Sequence, residues 1–169
     1  MSWLRRRLTG TPEGFAGQLA ENESVAATCT SGGEPVVATS LGLWLPGAGP
    51  MGVGRLGWHL VSKATWDGTA LTVIAAVESG AAGTAVLLTD QPPRRYPLEQ
   101  PGKLPEAVQR RVTQSIVDRH RHEFPGGGAW FVRRRVPGQD GTILQVRADA
   151  GADPAAVARL AEKVAARLS

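Results

Sequence analysis

The chain has 169 residues, of which 42% are hydrophobic and only one is cysteine, and it carries a net charge of +4. That is enough for one domain whose core needs no disulfide or metal, and the lone Cys29, sharing a strand face with Val25 and Ala27, suits a reducing compartment. No apolar run reaches membrane-spanning length and Met1–Leu8 lacks the apolar stretch of a secretory signal, so a cytoplasmic protein is expected.

Charge is unevenly placed. Residues 1–10 carry three arginines and no acid, and residues 11–93 carry two bases against seven acids. Residues 94–135 carry ten bases against four acids. This asymmetry predicts a basic face able to steer an acidic partner.

In chain order, Thr11 with Pro12 and Glu13 predicts a short helix presenting Phe15 and Leu19. Alternation in Glu23–Ser31 predicts a strand, ended by Gly32-Gly33, with Val36–Leu45 returning as its hairpin partner. The loop 46–54 contains Gly47-Ala-Gly-Pro-Met-Gly52, a literal G-x-G-x-x-G. No helical period follows it to hold a pyrophosphate, so it reads as a loop between strands. Arg55–Trp66 reads as one strand with Leu56, Trp58, Leu60, Ala64 and Trp66 on its apolar face and His59 on its outer face. Asp67-Gly68 then turns it into Leu71–Val77. After a turn at 80–83, Thr84–Asp90 gives a fifth strand, and the proline-rich 91–102 an extended edge or surface loop. Leu104, Val108, Val112 and Ile116 predict a helix over 104–121 with Arg110, Arg111, Gln114, Asp118 and Arg121 on its other side. Ala129–Val136 and Thr142–Ala148 pair across Pro137–Gly141, and Asp153-Pro154 opens a C-terminal helix.

The expectation is therefore α+β, with seven antiparallel strands, a C-terminal helix and an extra helix between the fifth and sixth strands. This order, with Thr39, Gly42-Leu-Trp-Leu-Pro46, Trp58, Ala64-Thr-Trp66 and Leu71-Thr-Val73, resembles a pleckstrin-homology-like (PH-like) barrel or sandwich. The second half, with Arg111-Val112, Ser115-Ile-Val117, Arg134-Arg135 and Pro137-Gly138, is similar to that of an uncharacterised high-GC bacterial family. The resemblance implies one PH-like domain over 11–169 behind a basic arm, 1–10. PH-like folds take lipid, peptide and protein partners alike. The absence of Lys and Arg from residues 8–54 argues against phosphoinositide binding of the familiar kind.

His120, His122 and Glu123 come close together but lack further zinc ligands at a matching spacing. Ser115, Asp118 and His122 share the predicted helix without a nucleophile elbow, and the carboxylates are scattered. No enzyme, cofactor or metal is expected. In Trp130-Phe-Val-Arg-Arg-Arg135, alternation places Arg133, Arg135 and Phe131 on one face and Arg134 with Trp130 on the core side, Arg134 at its rim or paired to a carboxylate. A solvated basic strand is the plainer reading of this segment than a nucleic-acid surface. The expected function is a scaffold that binds a protein partner through Arg94, Arg95, Arg110, Arg111, Arg133, Arg135 and the arm residues Trp3, Arg5, Arg6 and Arg7. Its alternatives are peripheral attachment of the arm to an anionic membrane and weak nucleic-acid binding by the basic second half.

Overall fold

The computed structural model describes residues 11–48 and 53–168. The basic arm and most of the G-x-G-x-x-G segment lie outside them. The described residues are α+β, as expected, with two α-helices and eleven strands rather than seven.

Four strands, β1 (Val25–Ser31), β2 (Glu34–Thr39), β3 (Gly42–Pro46) and β4 (Val53–Gly57), form an antiparallel meander. A single 3-10 turn, Trp58–Leu60, then carries the chain into a second, curled sheet. That sheet contains β5 (Val61–Trp66), β6 (Ala70–Ala82), β7 (Ala85–Asp90), β9 (Ile116–Phe124), β10 (Gly127–Arg135) and β11 (Thr142–Ala148) in the order β5-β6-β7-β11-β10-β9, with β8 (Arg94–Pro97) also paired to β6. All its pairs are antiparallel except β7 with β11, which makes the sheet mixed. The architecture is thus a curled mixed sheet beside an antiparallel one, in place of a clean antiparallel barrel.

Helix α1 (Leu104–Ser115) buries its predicted stripe, Leu104, Val108 and Val112, against Val36, Leu43, Trp58, Val61 and Leu71. Each such side chain contributes about 1.5–3 kcal/mol. Cys29 belongs to this core, and burial pushes its thiol up to about 11. A second core forms where α2 (Pro154–Leu168) lays Val157, Ala161 and Ala165 on Phe131, Leu144 and Val146. The backbone N–H of Ala155 reaches Asp153 Oδ1 at 3.3 Å, the cap expected there.

Several expected elements are divided or moved. Residues 11–20 form a turn at Glu13–Gly14 and then irregular chain instead of a helix. Gly14 sits at φ +82°, outside helical space, and Phe15 meets Trp44 edge-on at 5.3 Å. Val36–Leu45 is two strands. Thr39 Oγ1 accepts from the N–H groups of Leu41 and Gly42 and so turns the chain between them. Arg55–Trp66 is broken by the 3-10 turn, and β6 runs on through Gly80 with a bulge between Glu78 and Gly80. The hairpins at Asp67-Gly68 and Pro137–Gly141 stand where expected, and Asp67 Oδ1 accepts from Thr69 and Ala70.

The largest displacement concerns 116–124. The helix stops at Ser115, whose hydroxyl donates back to Val112 O at 2.6 Å, and β-branched Ile116 and Val117 enter a strand paired to β10 from end to end.

Candidate functional site

Breaking Arg55–Trp66 into β4, turn and β5 takes main-chain carbonyls out of any ladder, and buried carbonyls need donors. Two side chains from the curled sheet supply them, and a third bonds side chains beside them. Arg134, 4% exposed, donates to Trp58 O at 2.7 Å and Val61 O at 2.8 Å. Buried Gln145 donates to His59 O at 2.7 Å. Arg147 donates to Ser62 Oγ and to Asp90 at 3.0 Å. Arg134 also reaches Ser115 Oγ at 2.6 Å, so one guanidinium joins β10, the crossover and the end of α1. It is buried inside rather than at the rim, and its partners are neutral oxygens instead of the expected carboxylate. Burial and the neighbouring Arg147 lower its pKa to about 10, which leaves it protonated at neutral pH. His59, expected on an outer face, is half-buried here with Nδ1 enclosed and without a partner. Burial and Arg134 hold its pKa below the usual value.

A second polar knot lies on the outer side of the small sheet. Glu23, 7% exposed, accepts from Thr39 Oγ1 at 2.5 Å, Trp44 Nε1 at 2.9 Å, the Ala20 N–H at 3.0 Å and Arg55 at 2.7 Å. Burial raises its pKa, but these four donors outweigh that and hold the carboxyl below its ordinary value. Both knots are fully engaged in holding the fold.

The open site is elsewhere. β9 ends the strand order, so one side of its backbone has no neighbouring strand among the described residues. Beside it, α2 leaves a groove of about 400 Å³ floored by Phe131, Leu144, Leu160 and Val164. Asp118, His120, His122 and Arg133 form its polar side, and Leu168, 48% exposed, lies at its end. Arg133 donates to Asp118 at 2.9 Å, which raises its pKa. On the opposite face of β9, Arg121 bonds Glu123 and Asp149, and Arg119 and Arg121 sit 5.6 and 5.5 Å from the Trp130 ring. Arg119 has no carboxylate partner among the described residues.

This placement revises the earlier groupings. His120 and His122 lie on a strand, with Glu123 on its other face, and no three ligating side chains converge among the described residues. Ser115 ends a helix, whereas Asp118 and His122 are on β9, so the suspected triad is not on one element. Of the predicted basic face, Arg111 and Arg135 line one small pocket and Arg133 lines the groove. Arg94 and Arg95 are on β8, with Arg95 3.4 Å from Asp67, and Arg110 is exposed on α1. Trp3, Arg5, Arg6 and Arg7 lie outside the described residues. No helix among the described residues is long and apolar enough to cross a membrane.

No family model, no curated protein and no solved structure matches the chain.

Proposed function

We propose that this chain is a non-enzymatic binding module of PH-like kind that takes up an extended segment of a partner protein along β9. The observation that carries the reading is a nine-residue edge strand running beside an apolar groove. Such an edge gives a new strand main-chain hydrogen bonds, and the groove selects its side chains. Arg119, without a carboxylate partner among the described residues, favours a segment that mixes apolar with acidic residues. A charged edge also protects a lone sheet from aggregation, but that role does not require an apolar trough beside it. Nucleic-acid binding is the weaker reading, because two guanidiniums already occupy the Trp130 ring that a base would stack on.

The test is selection of peptides from a displayed random library, followed by amide exchange of the complex. Protection concentrated in 116–124, with binding weakened about tenfold or more by Leu168→Glu, is the expected result. Selected peptides that protect other segments, or that bind Leu168→Glu equally well, overturn the assignment.

A further inference from the structure

A separate concavity of about 180 Å³ lies between the end of α1, the β2–β3 turn and the exit of β10. Ser40, Trp58, Arg111, Gln114, Ser115 and Arg135 line it. Arg111 and Ser115 are one helical turn apart, so they share a side of α1. Arg135 enters from β10 and donates to Gln114 O at 2.7 Å, while Arg134 lies buried directly behind Ser115. None of these three guanidiniums has a carboxylate within ion-pair distance among the described residues. The carbonyl end of α1 returns only about half a negative charge, so the pocket is left cationic. It is also rich in donors. The Arg111 side chain makes no hydrogen bond among the described residues, and Ser40 Oγ accepts from the Ser24 N–H, which leaves its own hydrogen to give.

We propose that this pocket binds a phosphate group, carried by the free ion or by a small phosphate monoester. Guanidiniums match a tetrahedral oxyanion with paired, charge-assisted hydrogen bonds. Arg111 and Arg135 hold the oxygens from two sides, the Ser40 hydroxyl donates a further bond, and buried Arg134 adds its field from below. A dianion suits three uncompensated cations better than a carboxylate does. The volume accepts the phosphate and leaves the body of a larger ligand outside.

Inorganic phosphate and glycerol 3-phosphate are titrated separately into the full chain by calorimetry at constant ionic strength, with Arg111→Gln and the double variant Arg111→Gln/Arg135→Gln alongside. Saturable binding that weakens about tenfold in the single variant and vanishes in the double one is expected. Tighter binding of the monoester identifies the pocket as the seat of a larger ligand's phosphate; tighter binding of inorganic phosphate identifies the free ion. Absence of saturable binding by both, or equal affinity in the double variant with its melting temperature preserved, overturns the proposal. Should the double variant unfold, Arg111→Gln alone decides, because the Arg111 side chain holds no hydrogen bond among the described residues.

Discussion

Replacing Arg134 by methionine keeps the aliphatic stem and deletes the guanidinium that joins β10 to the crossover. Ser115 Oγ retains Val112 O, so the loss falls on Val61 O, which is left without its donor, and on Trp58 O, which keeps only the Val61 N–H of its own turn. At about 1–3 kcal/mol for the orphaned acceptor and about 1.5–3 kcal/mol for the charged bond lost at Trp58 O, this costs about 2.5–6 kcal/mol. Removing a cation buried without a carboxylate returns about 1–4 kcal/mol. The net expectation is a loss of about 2 kcal/mol, or a melting temperature about 4–8 °C lower for a chain of this size. Arg134→Lys is worse, at about 3–5 kcal/mol, because it keeps the buried charge while one ammonium cannot reach three oxygens on separate elements. Urea unfolding followed by tryptophan fluorescence measures all three proteins. The order wild type, methionine, lysine is the discriminating result. A lysine variant as stable as wild type, or a methionine variant within about 0.5 kcal/mol of it, refutes the claim that the guanidinium serves the crossover carbonyls.

Glu23→Gln turns one carboxylate oxygen into an amide donor among groups that already donate, and is expected to lose about 1–3 kcal/mol in the same assay; no loss would mean that Thr39 and Trp44 find other acceptors. For pH, the folded His59 pKa lies below the ordinary 6.5, through burial and Arg134, with Glu78 acting weakly the other way. The unfolded chain therefore takes up the proton first as pH falls. The stability tied to His59 is whole above about pH 6.5 and declines below it. Denaturation at pH 7.5 and pH 5.0 should show a smaller decline for His59→Leu than for wild type, and equal declines would rule out His59 as the source.

What was legible in the sequence is what repeats locally. Asp67-Gly68, Pro137–Gly141 and Asp153-Pro154 announce their turns and cap by residue type, and the hairpins and α2 stand there. The end of α1 was hidden by arithmetic. A stripe at every fourth residue, Leu104, Val108, Val112, Ile116, is also even-numbered alternation, so Ile116 fits a helix and a strand equally well. With 116–121 read as helix, neither the edge strand nor the groove beside it was in view. The break at Trp58 was hidden in the same way, because Leu56, Trp58 and Leu60 keep the alternation while distant donors capture the carbonyls. Glu23 read as an acid opening a strand, since Thr39, Trp44 and Arg55 reach it from three later segments. Arg134 was placed on the core side by alternation, but its partners lie more than seventy positions back.

That separation bears on the order in which the molecule can assemble. The meander, β5, β6, β8 and α1 hold the first apolar core among themselves, yet the crossover that connects their two sheets depends on donors from residues 134 and 145. Until those residues exist and β11 has closed on β7, the carbonyls of 59 and 61 have only water for partners, and the crossover must stay wet. The first half is therefore not a folding unit in its own right, and closing so long a loop is the slow step of this topology. A chain cut after Ser115 would retain an apolar core and lose the means to seal it.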